Sequence, residues 1–216
     1  MQGDLSQVIY AVGRYEAGTI RLLGTAFAVS STQVATALHV VGQDDSQLVL
    51  ILPRISSMLD YQDTSETGVS TTRLRMVAAD PVRDLCVLSL EDAQITMTYQ
   101  LGSADAVPTG APVVTFGFPH ANYGRMVLTQ QNANVGARVL IESAGLKSKH
   151  LVLNTQAREG QSGGPVFDGS MSTVVAVLLG SYAPGGGGGI SLGGVDPATL
   201  HQTTHAISAE YIGAML

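Results

Sequence analysis

The sequence predicts an all-β chain of two packed six-stranded barrels with a short helix at the C-terminal end. Three observations predict it. Short β-branched and apolar runs recur between turn signals along almost the whole chain. No stretch before residue 200 sustains the 3.6-residue apolar period that alternating strands and helices would need. Hydrophobic residues make up 45% and charged residues only 13%, and 25 glycines are scattered among them, which suits tight turns between strands better than solvated helices.

Taken in order, the first six runs lie at residues 8–12, 25–29, 34–36, 48–52, 74–79 and 86–90 and are read as one barrel. The stretch 102–110, with Asp105 and Pro108 as breakers, separates them from a second series at 113–116, 126–129, 138–141, 151–154, 165–167 and 174–179. The boundary is placed near residue 105, so that 1–104 form the N-terminal barrel and 105–216 the C-terminal barrel with its helix. Ser208 is positioned to cap a helix over 209–215, with Glu210 in its first turn. Residues 56–71, rich in Ser, Thr, Asp and Glu, and 184–194, with five consecutive glycines, are read as long loops.

Composition excludes some functions. The net charge is −6 and the pI near 5.2; the 11 Lys and Arg are dispersed, whereas binding a phosphate backbone needs them clustered. No nucleic-acid partner is expected. Residues 1–20 include Asp4, Arg14 and Glu16 and hold no apolar run of signal-peptide or membrane-span length, so no membrane association is expected. The sole cysteine, Cys86, cannot close an intrachain disulfide, which favours a reducing, cytoplasmic setting.

The most informative segment is Gly160, Gln161, Ser162, Gly163, Gly164, Pro165. It sets one hydroxyl among glycines that let the backbone turn sharply and approach a substrate carbonyl, so Ser162 is the candidate nucleophile. The amides of Gly160 and Ser162 can converge there as an oxyanion hole. Alone, such a cluster is as readily a simple turn. Upstream, however, His39 ends an apolar strand pair, where an imidazole can take a proton from a serine hydroxyl near neutral pH. Between them Asp84 opens an apolar strand, where a carboxylate needs a partner such as an imidazole N–H. Asp80, before Pro81, is read as a turn former. His120, His150, His201 and His205 lack comparable surroundings and are read as satisfied core residues. The chemistry needs no cofactor and no metal.

Together these segments resemble the trypsin-like peptidase superfamily, and in particular the bacterial protease domains of the HtrA (Deg) family. Thr36, Ala37, Leu38 and His39 resemble its histidine segment, Asp84 to Leu88 its aspartate segment, and Gly160 to Pro165 its serine segment; Asn154 to Ala157 resemble the strand entering its nucleophile loop. The His, Asp, Ser order is that of chymotrypsin. The resemblance implies a chymotrypsin-like double barrel and a serine endopeptidase acting on protein or peptide substrates, with His39, Asp84 and Ser162 meeting between the barrels within hydrogen-bonding reach. It also implies a primary pocket lined by Gln156, Ala157, Gly180, Ser181 and His205, so that His205 has a second possible role. With no acid at Gln156, a neutral, small or medium apolar P1 side chain is expected. Trypsin-type zymogens carry an aspartate before the nucleophile; here Gln161 has no charge for a freed N-terminal amine, so activation by N-terminal cleavage is not expected. HtrA proteins usually append PDZ domains, and too few residues follow Ser208 to build one; a regulatory domain or partner is expected outside this chain.

Two other readings fit parts of the same pattern. One is a catalytically silent binding module that keeps the protease fold. The other is an α/β-hydrolase esterase, since Gly160 to Gly164 satisfies G-x-S-x-G with Asp196 and His205 following in order. That elbow must open a helix, which Gly163, Gly164 and Pro165 oppose.

Overall fold

The computed structural model describes residues 4–91, 93–182 and 203–216. Six strands, β1 (Ile9–Glu16), β2 (Thr19–Ala28), β3 (Gln33–Ala37), β4 (Leu48–Ile51), β5 (Thr71–Asp80) and β6 (Leu85–Leu90), close into a barrel in the order β1-β2-β3-β6-β5-β4. Each overlaps one of the six runs predicted for the first barrel. Closure leaves no unpaired edge, so the barrel's backbone groups are satisfied within it. Ile9, Phe27, Val34, Leu50, Leu74 and Leu88 are fully or almost fully buried there, each contributing roughly 1.5–3 kcal/mol from leaving water.

The second sheet comprises β7 (Gln100–Leu101), β8 (Pro112–Gly117), β9 (Thr129–Ser143), β10 (Leu146–Leu153), β11 (Pro165–Asp168), β12 (Thr173–Tyr182) and β13 (Thr203–Ser208). Pairing of β11 with β12 closes six of them, β11-β8-β9-β10-β13-β12, into a second barrel, and β7 adds to β12 in parallel. Val113, Val135, Leu151, Val166 and Val175 form its interior. The first barrel's core continues into the contact between barrels through Phe116, Phe167, Val177 and Ile207. Phe167 takes Tyr99 and Phe116 edge-on at 5.0 and 5.7 Å, and the Tyr99 hydroxyl donates to the Ala28 carbonyl at 2.6 Å, fastening the connection between barrels to the first.

Three local expectations are corrected. The runs 126–129 and 138–141 are not two strands: 126–128 precede β9, and 138–141 lie within it. β9 stays unbroken because β8 pairs with its first half and β10 with its second. The sixth strand is β13, whose Thr, Thr, His start gave no apolar signal. The C-terminal helix, α2 (Glu210–Gly213), is shorter than expected and its N-cap Ala209 makes no side-chain cap bond. Ser208 instead ends β13, and its buried hydroxyl accepts from the Ala104 N–H at 2.9 Å.

The irregular segment after β4 crosses to the second barrel, where the Gln62 amide brackets Leu128, donating to its carbonyl at 2.8 Å and accepting from its N–H at 2.7 Å. Residues 184–194 lie outside the described residues. No helix among the described residues is long and apolar enough to cross a membrane.

Candidate active site

Strand pairing brings His39 and Asp84 together. β3 and β6 run antiparallel with Ala37 opposite Leu85, so the residue just before β6 meets the turn that follows β3. That turn is α1 (Leu38–Val41), and His39 lies in it. Three hydrogen bonds tie the two segments. The Asp84 carbonyl accepts from Leu38 N–H at 3.0 Å, one carboxylate oxygen accepts from His39 N–H at 2.8 Å, and the other from His39 Nδ1 at 2.5 Å. A carboxylate here only accepts, so Nδ1 carries a proton, and in the neutral imidazole Nε2 is left as an acceptor. Asp84 adopts φ 56°, a left-handed conformation that Asp tolerates better than most residues and that aims backbone and side chain at the same turn. Asp80 stands apart, accepting from Val82 and Arg83 N–H at 3.0 Å each in a local turn.

Ser162 is held between the barrels. Its carbonyl accepts from Thr25 N–H of β2 at 3.0 Å, and on the other side Gly163 N–H donates to Leu178 of β12 at 2.7 Å. Gly163 has φ 83°, and a Cβ there would overlap the Thr36 hydroxyl and the Thr25 carbonyl. Ser162, His39 and Gly160 border one open cleft together with Leu22, Val40 and Glu159. The Ser162 hydroxyl, however, donates to the Leu179 carbonyl at 3.1 Å, and among the described residues no hydrogen bond joins it to His39. The expected reach of all three side chains is thus met for one pair. The Ser162 hydroxyl has taken the carbonyl acceptor that strand β12 offers.

The peptide planes around Gly160 are fixed from behind. The Glu159 carbonyl accepts from His120 N–H at 2.6 Å, and the Gln161 carbonyl from Gly164 N–H at 3.0 Å. In a trans peptide the N–H points opposite the carbonyl, so the Gly160 and Ser162 N–H groups are turned away from these anchors. Gly160 itself has φ 92°, and a Cβ would overlap the Phe118 carbonyl. Gln161 is 2% exposed; its side-chain oxygen accepts from Arg158 N–H at 2.7 Å while its own N–H donates to the Arg158 carbonyl at 3.1 Å. The residue before Ser162 therefore closes its own loop.

Of the residues expected to line a primary pocket, Ala157 donates its N–H to the buried Thr204 hydroxyl at 2.8 Å, and Gln156 accepts from the Arg158 guanidinium at 2.9 Å. Gly180 lies beside the Ser162 hydroxyl. Ser181 is on β12 opposite Thr204, and Gly180 is opposite His205, whose Nε2 is 3.1 Å from the Thr203 hydroxyl. Burial lowers the pKa of His205.

Two other histidines differ from expectation. His120 is exposed, in a left-handed turn with φ 64°. His150 is buried, but its Nδ1 has no hydrogen-bond partner among the described residues, and burial together with the nearby His205 pushes its pKa down to about 4. His201 and Asp196 lie outside the described residues. After Ser162 the chain enters strand β11 and not a helix, which removes the α/β-hydrolase reading. Burial pushes the Cys86 thiol up to about 12, helped by Asp45, so it is an unreactive core group.

Sequence reasoning missed His120 and Thr25. The first acts through its backbone, which leaves no sequence signal. The second had one: a hydroxyl within the buried run Thr25, Ala26, Phe27, Ala28 needs a partner.

The trypsin-like peptidase domain model matches residues 24–177. Among curated relatives, a serine protease Do-like HtrA of Lactobacillus helveticus is 26% identical over 135 residues, 62% of this chain and 29% of the relative. A probable periplasmic serine endoprotease, DegP-like, of Brucella suis is 28% identical over 166 residues, 76% of this chain and 28% of the relative. This chain thus spans less than a third of either relative's length. Among solved structures, the MamO protease domain from Magnetospirillum magneticum superposes with TM-score 0.68 at 14% identity, covering 100% of this chain and 99% of that one. The HtrA-type protease AlgW with decapeptide gives TM-score 0.68 at 16% identity, covering 97% and 63%; at these identities the likeness speaks for the double-barrel fold. With a family model spanning most of the chain and that fold beneath it, the chain belongs to the trypsin-like peptidase family.

Proposed function

We propose that this domain is a serine endopeptidase that cleaves peptide bonds through an acyl-enzyme. Ser162 is the nucleophile, His39 its general base and then the acid for the leaving amine, and Asp84 the group that holds the imidazole tautomer and stabilises the imidazolium. The Gly160 and Ser162 amides receive the oxyanion. The observation that carries the reading is the Asp84 carboxylate held at 2.5 Å from His39 Nδ1 on the same cleft as a serine whose flanking amides are turned away from their anchors. Attack requires the Ser162 hydroxyl to leave the Leu179 carbonyl for His39 Nε2, by rotation of χ1 between staggered wells.

Substrates are proteins or peptides with an uncharged P1 side chain, because neither Gln156 nor Ala157 carries a charge of its own. Gln161 is occupied with Arg158, which supports activity without N-terminal cleavage. The lone Cys86 supports a cytoplasmic setting.

The test is labelling by a fluorophosphonate. Wild type is expected to label, and Ser162→Ala and His39→Ala are expected not to. Full labelling of the alanine variants, or none of the wild type with peptide substrates also left uncut, sinks the reading and leaves a protease-fold binding module in its place.

A further inference from the structure

Resting on the nucleophile assignment proposed above, we infer that Thr25 is a positioning residue for the reaction. Its hydroxyl reaches from the first barrel to the Gly160 carbonyl and so holds the two oxyanion-binding amides in place.

Thr25 is fully buried on β2, and each of its polar atoms is engaged. The N–H donates to the Ser162 carbonyl at 3.0 Å. The hydroxyl donates to the Gly160 carbonyl at 2.8 Å and accepts from Phe118 N–H at 3.1 Å. The carbonyl accepts from the Thr36 hydroxyl at 2.7 Å. One side chain thereby joins β2, the end of β8 and the nucleophile loop, which are distant in sequence and belong to both barrels.

The consequence for catalysis follows from which peptide it holds. Each of the three peptide planes from Glu159 to Ser162 has its carbonyl anchored: by His120 N–H on the first, the Thr25 hydroxyl on the second and Gly164 N–H on the third; the second is also held through Gln161 N–H, which donates to the Arg158 carbonyl at 3.1 Å. The middle plane lies between the Gly160 and Ser162 amides, and its neighbour Gly160 offers little steric resistance to rotation. Without the hydroxyl, a buried carbonyl and the Phe118 N–H both lose their partner, and the middle peptide, held then only by the Gln161 N–H bond to the Arg158 carbonyl, can tilt about it toward another donor. Both amides turn with it, whereas stabilising an oxyanion needs donors preset at about 2.7–3.1 Å from it. Thr25 touches no reacting atom, so its effect belongs to the transition state and not to substrate binding.

The experiment compares Thr25→Val, which keeps the shape and removes the hydroxyl, with Thr25→Ser, which keeps the hydroxyl and removes the methyl. With a fluorogenic peptide, Thr25→Val is expected to lower kcat by about 30- to 100-fold with KM within about threefold, and Thr25→Ser to stay within about threefold on both. Affinity for a peptide boronate, whose adduct places an anionic oxygen at the two amides, is expected to fall in Thr25→Val in step with kcat/KM. A Thr25→Val kcat equal to wild type, a loss confined to KM, or an equal loss in Thr25→Ser overturns the inference. Should Thr25→Val not fold, Thr25→Ser decides: a kcat loss beyond about threefold, or loss of hydrogen-exchange protection at Phe118 N–H, overturns it, and retention of both supports it. A Ser162→Ala variant that keeps peptidase activity removes the nucleophile assignment along with this inference; an inactive Ser162→Ala beside a Thr25→Val of wild-type kcat removes this inference alone.

Discussion

Replacing Asp84 with asparagine leaves the outline of the site intact and changes only what the group can offer. The carboxylate serves two donors at once, His39 N–H at 2.8 Å and His39 Nδ1 at 2.5 Å. In Asp84→Asn the amide oxygen can keep the backbone bond, which turns the NH2 toward Nδ1. That group donates, so Nδ1 must become the acceptor and the ring proton moves to Nε2. His39 then presents a donor to the Ser162 hydroxyl and cannot take its proton, and the imidazolium loses its counter-charge. For a triad this change is worth about 10⁴ in kcat, about 5.5 kcal/mol of transition-state stabilisation. The fold should barely notice. The side chains of His39 and Asp84 are 48% and 33% exposed, and a solvent-facing pair of this kind contributes at most about 1 kcal/mol. The assay is steady-state kcat on a fluorogenic peptide, with the urea midpoint measured on the same preparation. A folded Asp84→Asn with kcat within tenfold of wild type refutes the orienting role.

Two further perturbations test the frame around the site. The His150 imidazole, pushed down to about 4 by burial and by His205, stays neutral in the native state while the unfolded chain takes up a proton near pH 6.5. Its contribution is therefore complete above pH 6.5 and lost as pH falls from 6.5 toward 4, by up to about 3 kcal/mol. Urea unfolding at pH 7.5 and 4.5 should show that difference shrinking in His150→Leu, and an unchanged difference contradicts the assignment. Gly163→Ala must place a methyl against the Thr36 hydroxyl and Thr25 carbonyl at φ 83°, costing about 3 kcal/mol or more with loss of activity. Gly145→Ala has a similar φ of 77° but open space around it, and should cost only about 1 kcal/mol. Equal shifts in melting temperature for the two would contradict the overlap.

By itself the sequence determined the all-β class, the six strands of the first barrel and the three segments that carry His39, Asp84 and Ser162. These features are local: alternation, β-branching and glycine placement act between near neighbours in the chain and persist wherever the segment ends up. Tertiary structure decided what depends on partners. Asn132, Asn134 and Gly136 resemble a break, yet β9 runs through them because two different strands supply its ladder. Thr203, Thr204 and His205 become strand only because β10 and β12 lie on either side. The Ser162 hydroxyl turns to Leu179, Gln161 closes its own loop, and Thr25 and His120 anchor the peptides at Gly160. A hydrogen-bonding group pairs with whatever donor or acceptor the folded chain brings within about 3 Å; for Gln161 that partner is three residues away, whereas for Ser162, Thr25 and His120 it arrives from another part of the chain.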